Sequence, residues 1–446
     1  MNTTITQIQL FRGRLAFMTG DPDISGKRAL SFFPDGILAV KGGFVIEAGS
    51  AAELSGRFPA DIPVTDFGSK LIIPGLVDAH VHSSQTLIIA SYGEKLLEWL
   101  QKYAFPEEDR HRDFEYARLS ARLFINELLR NGTTTANVFT TVHPHTADLL
   151  FEEALSKNMR LIAGKVLMDR NAPDSLLDNP EKSWSDSAGL IRKWHNRARL
   201  GYAVMPRFAI TSSAAQLGVA ARLLRDFEGV WMHTHLSENL PETALVQKLY
   251  PDCSGYWNVY EHHGLAGPKS VFAHGVHLDD NEFGRLGASG SSIAVCPSSN
   301  LFLGSGLFRF GQAGKHGIKL GIGSDIGAGT SFSVLANLSE AYKIARLGDV
   351  SITPKKAFYL ATLGGAAALS LDNRIGTFKP GFEADFTVLD PGADPLLQKR
   401  TTGAATFSDL FFPVMMMGDN RIIHSTWIMG VPCYKAPTSP AQSAAS

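Results

Sequence analysis

The chain has 446 residues, too many for one ordinary hydrophobic core, which points to a large domain with a smaller one attached. Its 42 Lys plus Arg against 43 Asp plus Glu leave a formal charge of −1, so no single-sign field marks a nucleic-acid or anionic-membrane binder. The N-terminus lacks the basic and apolar regions of a secretory signal, no apolar run reaches the roughly 18 residues of a spanning helix, and three scattered cysteines (Cys253, Cys296, Cys433) form no C-x-x-C pair, which together predict a protein of the reducing cytoplasm.

The first seventy or so residues read as strands and turns: "LAFMTG", "GILAVKGGFVIEAGS" and "SKLIIPG" are β-rich runs punctuated by Gly and Asp. From Leu76 the rhythm changes. Eight short apolar runs, "LVDAHVH", "TTTANVF", "RLIAGKVLM", "GYAVMPRF", "VWMHTHL", "SVFAHGVH", "SSIAVCP" and "IKLGIGSD", alternate with helical stretches such as "YARLSARLFINELLRNG" and "SVLANLSEAYKIARLG". Eight strands alternating with helices predict a parallel sheet closed into a (β/α)8 TIM barrel over residues 74–376. After about residue 376, "IGTFKPGFEADFTVLD" returns to strands, which predicts a small composite β-sandwich domain built from residues 1–73 and 377–436. The Pro/Ser/Ala-rich residues 437–446 read as a disordered tail.

Chemistry-bearing residues fall at the ends of the barrel runs. Residues i and i+2 of a strand face one side, so His80 and His82 point together, and on a first barrel strand both would emerge in the C-terminal mouth, where such barrels keep their active sites. The other strand ends supply Arg207 and Phe208, His235 with Glu238 three residues on, His274 and Asp325. An H-x-H pair alone also fits solvated or hydrogen-bonded histidines. Ligand types at four strand ends of one mouth specify a divalent metal site, and imidazole with carboxylate suits a catalytic zinc.

The order "GLVDAHVH", "HTHLSEN", "FAHGVH" and "GSD" resembles the amidohydrolase superfamily, in the branch that deaminates purines and pyrimidines or hydrolyses triazines. "EKLLEWLQKYAFPEE", "NGTTTANVF", "MPRFAITSS", "CPSSNLFLGSGLF", "GSDIGAGTSFSVL" and "ATLGGAAALSL" narrow the resemblance to its guanine-deaminating members, over residues 74 to 371. The resemblance implies hydrolytic deamination of guanine to xanthine and ammonia, with one zinc ion per chain held by His80, His82, His235 and Asp325. It implies that His274 lies beside the attacking water and the substrate, that Asp325 takes up that water's proton and that Glu238 shuttles protons. It implies that Gln85 and Arg207 bind the purine, with Phe208, Trp99 and His235 around it, and that the enzyme is a homodimer. A deaminase or hydrolase of 8-oxoguanine or a triazine uses the same metal residues. A non-catalytic assembly relative would be expected to lack some of them.

Several residues invite other readings. Some binuclear relatives bridge two metals with a carboxylated lysine on the fourth strand, but Lys165 falls on the third. His233 shares the strand parity of His235 one layer deeper and reads as a supporting or core histidine. His277, His143 and His145 read as pocket-rim or surface groups, and Cys296 as a small buried thiol. The P-C-x-x-C pattern of the unrelated cytidine-deaminase fold is absent.

Overall fold

The computed structural model describes residues 7–437 except 349; of the expected tail, only Pro437 falls among the described residues. Eight parallel strands follow one another in chain order: Leu76–His82, Thr133–Phe139, Arg160–Gly164, Leu200–Pro206, Trp231–Leu236, Ser270–His274, Ser292–Val295 and Lys319–Ile322. Each pairs with the next in parallel register. The eighth meets the first without a regular ladder. Instead the Asp325 amide donates to the His80 carbonyl (2.9 Å) and the His82 amide to the Ile326 carbonyl (3.1 Å). Glycines permit this approach: a Cβ on Gly321 would lie 2.7 Å from Ala79 Cβ, and one on Gly323 2.9 Å from His80 Cβ. The result is a nearly closed, distorted TIM barrel in a mixed α/β chain.

The helices between strands follow the expected amphipathic pattern. Phe114–Arg130 starts at Asp113, whose carboxylate accepts from the Tyr116 amide, and it buries Ala117, Ala121, Phe124, Ile125 and Leu128 at helical spacing. Val334–Leu347 starts likewise at Ser333 and buries Leu335, Leu338 and Ala341. The third strand departs from its expected length. It ends at Gly164, and only Val166–Leu167 resumes pairing with the fourth. Lys165 stands at the break, where its buried ammonium turns to the Asp178 carboxylate.

The chain's two β-rich ends form one seven-stranded sheet, in the order Val431–Lys435, Ile423–Ile428, Phe386–Leu389, Val64–Pro74, Ile8–Met18, Leu30–Lys41 and Phe44–Ser50. Phe11, Phe386 and Trp427 pack one face of it, with ring centroids 4.8–5.2 Å apart. Only Gly75 separates the strand Val64–Pro74 from the first barrel strand, so the sheet leads directly into the segment that carries His80 and His82. A buried ionic cluster fastens the sheet segment to the barrel base: Arg160 and Arg199, at the starts of the third and fourth strands, both reach Glu383, and Arg199 also reaches Asp385.

Candidate active site

Because all eight strands run the same way, their C-terminal residues share one mouth. His80 and His82 point into it from the first strand and are buried. His235 enters from the fifth, and the Nε2 atoms of His82 and His235 lie 3.1 Å apart. Asp325, just past the eighth, has Oδ1 3.1 Å from His80 Nε2 and 3.4 Å from His82 Nε2. One ligand atom from each of these four residues lies within 4.8 Å of the other three.

This donor set fits a divalent cation. His235 Nδ1 lies 2.7 Å from the Arg207 carbonyl, an acceptor, so that nitrogen carries the proton and Nε2 presents a lone pair to the cluster. Burial lowers His82 to about 4 and His235 well below its usual value, so these two imidazoles favour the neutral form. Burial works against the Asp325 anion as well, but His80, His82 and His274 outweigh it and hold the carboxyl well below the usual range. Neutral imidazoles around a carboxylate are the form a metal requires.

His80 is oriented from behind. His233 Nε2 lies 2.9 Å from its Nδ1, and His233 is fully buried outside the four-donor group. Asp78, two residues before His80, accepts from the Ser324 amide (3.0 Å) and the Ser324 hydroxyl, which ties the first strand to the turn bearing Asp325. A second grouping, His80, His274, Cys296 and Asp325, also brings ligand atoms together. Burial and the neighbouring carboxylates push the Cys296 thiol well above its usual pKa, so it stays protonated and ligates poorly. Lys165, bonded to Asp178 and the Val166 carbonyl, belongs to neither group among the described residues.

Glu238 and His274 stand beside the donors. Glu238 Oε2 lies 3.5 Å from His274 Nε2, which is itself 3.8 Å from Asp325 Oδ2. Asn300 Nδ2 lies 3.0 Å from His274 Nδ1, and the Ser305 hydroxyl donates to Glu238 Oε1 (3.0 Å). Burial first, then the charges of Asp325 and Glu242, raise Glu238 well above the ordinary carboxylic range. The backbone turns sharply here: His274 and Asp325 have φ of 76° and 49°, unusual for residues other than glycine and concentrated in proteins at functional sites.

A cavity opens above these groups. Gln85, Trp99, Arg207 and Phe208 line it together with His82, His235, Glu238 and Asp325, and Leu96, Leu100 and Ala328 complete its wall. The Phe208 ring meets the His235 ring edge-on, with centroids 6.4 Å apart. Every candidate site residue from the sequence therefore reaches one place. Sequence reasoning missed Glu108, Asn300, Ser305 and the part played by Asp78. All four lie in runs that carried the family resemblance, Asp78 in "GLVDAHVH", Glu108 in "FPEE", and Asn300 and Ser305 in "CPSSNLFLGSGLF", but no local pattern singled them out there. His277 anchors Ser305 through its carbonyl at 2.8 Å, whereas His143 and His145 stack on each other away from the donors.

Comparison with known proteins agrees with this geometry. The guanine deaminase of Escherichia coli (strain K12) is 51% identical over 402 residues, covering 90% of this chain and 92% of that enzyme. A solved structure of E. coli guanine deaminase matches with a TM-score of 0.94 at 49% identity, over 96% of this chain and 100% of that one. A crystal structure of guanine deaminase from C. acetobutylicum with bound guanine in the active site matches with a TM-score of 0.87 at 28% identity, over 96% and 100%. The sequence profile of the Amidohydrolase family matches residues 71–433. With that match and the barrel-mouth donors together, the chain belongs to the amidohydrolase family.

Proposed function

We propose that this chain hydrolyses guanine to xanthine and ammonia with one zinc ion held by His80, His82, His235 and Asp325. The observation that carries the reading is that three of those donors, His82, His235 and Asp325, line one cavity with the polar pair Gln85 and Arg207, while His80 completes the donor group behind them. The relatives support it, since the guanine deaminase of E. coli is 51% identical over 90% of this chain.

When bound, zinc acidifies water and so supplies a nucleophile near neutral pH. Asp325 takes the proton that the water loses as it attacks C2, the carbon bearing the exocyclic amine. Negative charge develops toward N3, and the protonated Glu238 neutralises it. Asp325 then passes its proton to the amine, the bond from C2 to that nitrogen breaks and ammonia leaves, while the C2 hydroxyl returns a proton to Glu238 as the carbonyl of xanthine forms. His274, oriented by Asn300, stands between Glu238 and Asp325 and fixes the water's approach. Gln85 and Arg207 hold the purine edge, and Phe208 and Trp99 pack around it. Acid–base help of this kind contributes roughly a hundred- to ten-thousandfold.

The terminal sheet (1–73 and 377–436) is read as a domain separate from the barrel (74–376). No helix of the described residues is long and apolar enough to cross a membrane. The three free cysteines favour the cytoplasm, and the proposed homodimer rests on the family resemblance alone.

The test is ammonia release from a panel of purines, pterins and triazines by the purified, zinc-loaded protein. Guanine is expected to be the preferred substrate. Preference for 8-oxoguanine, adenine or a triazine would overturn the substrate and leave the hydrolase.

A further inference from the structure

The run "FPEE", residues 105–108, opens a short helix, Phe105–Arg110, a few residues beyond Trp99 and Leu100 of the cavity wall. Its two acids take different partners. Glu107 takes hydrogen bonds from the Tyr116 hydroxyl (2.5 Å) and from Arg110 Nη1 (3.0 Å) on the outer side. Glu108 turns inward and its side chain is fully buried. Arg207 Nη1 donates to both of its oxygens, at 2.7 Å each, and Gln85 Nε2 donates to Oε1 at 2.9 Å. One buried carboxylate thus joins two side chains that both line the cavity and that follow different strands, the first and the fourth. Phe105, from the same helix, places its ring 5.3 Å from the Arg207 guanidinium.

This geometry fixes what the cavity offers a ligand. An ionised carboxylate only accepts, so Gln85 must turn its NH2 toward Glu108. The opposite end of the amide agrees, because Gln85 Oε1 accepts from the Gly327 amide at 3.2 Å. That leaves one N–H and one oxygen lone pair of Gln85 for a ligand. Arginine has five N–H donors, and Glu108 takes the two on Nη1. Among the described residues no protein acceptor takes those on Nε and Nη2. Arg207 therefore faces the cavity as a held, charge-balanced donor edge.

We infer that Glu108 is the positioning residue for substrate discrimination: by holding one end each of Gln85 and Arg207, it aims their remaining donors at a ring carbonyl and makes the site select a 6-oxopurine over the same ring without the oxygen. The inference rests on the guanine reading, and its test separates the two. An alternative in which Glu108 merely balances a buried charge predicts equal damage toward every substrate.

The experiment compares guanine with 2-aminopurine, which keeps the C2 amine and lacks the 6-oxygen, by ammonia release from wild type, Glu108→Gln and Glu108→Asp, with zinc content measured for each. Wild type should favour guanine by about a thousandfold or more in kcat/KM, within what a hydrogen-bonding site achieves. Glu108→Gln removes the charge and one of the two acceptors that face Arg207 Nη1, setting an NH2 against it. It should cost about a hundredfold on guanine, mostly through KM, with 2-aminopurine changed only a few-fold and zinc retained. Glu108→Asp keeps the charge with a shorter reach, should narrow the preference about tenfold, and carries the test if the glutamine variant does not fold. A preference that stays within threefold of wild type in the variants overturns the inference, whatever their overall activity. A wild type that releases ammonia from 2-aminopurine but not from guanine overturns the guanine reading itself.

Discussion

The Nε2 atoms of His82 and His235 face each other across 3.1 Å, although 153 positions separate the two residues. With His235 Nδ1 committed to the Arg207 carbonyl, lone pairs converge where a cation would relieve their repulsion. Elemental analysis should therefore find about one zinc per chain. His235→Ala should lose most of it. His233→Ala removes only the group behind His80 and should weaken zinc affinity by roughly 10- to 100-fold while stoichiometry survives at excess metal. Two metals per chain with carboxylated Lys165 would contradict this assignment.

Glu238→Gln keeps the side chain's shape and its contact to Ser305 while removing the titrating proton. Zinc content should stay at the wild-type level and kcat should fall by roughly a hundredfold or more. Steady-state kinetics beside metal analysis decides the matter; a near-normal kcat removes Glu238 from proton transfer.

Guanine has a carbonyl oxygen at C6 and adenine an amine. Facing Arg207, adenine sets donor against donor and leaves the N–H groups that Glu108 does not take without an acceptor. Guanine should exceed adenine by at least roughly a thousandfold in kcat/KM. Arg207→Met should raise KM for guanine and narrow that gap, as competition between the two purines would reveal.

Glu383 holds Arg160 and Arg199 in the buried joint between the terminal sheet and the barrel. Glu383→Gln leaves two buried guanidinium groups short of charge and should cost about 3–5 kcal/mol of stability in urea titration. Burial opposes the Glu383 anion, but Arg199 and Arg160 prevail and lower its pKa below the ordinary 4.5. A lowered carboxyl stabilises the fold above its unfolded pKa and loses that contribution as pH falls through the folded one. The stability gap between wild type and variant should thus be full above about pH 5 and shrink below about 4.5. A gap that widens on acidification would contradict the assignment.

The barrel and its donor residues were legible in the sequence because both follow from local rules. Eight apolar runs separated by helical ones admit one closed parallel sheet, and a parallel sheet brings every C-terminal strand end to one side. The two-residue period then set His80 beside His82, and strand-end positions singled out His235, His274 and Asp325. Tertiary structure alone decided the supports. The Asp78–Ser324 clamp spans 246 positions and the Glu108–Arg207 pair 99, and no local pattern links residues so far apart. Even with "FPEE" marked, the choice between Glu107 and Glu108 depended on how that helix rolls against the barrel. Neighbours on a helix point about 100° apart, so one acid meets solvent-side Tyr116 and Arg110 while the next is buried against Gln85 and Arg207. The partner of Lys165 depended on tertiary structure in the same way: past the strand break its ammonium bonds to Asp178.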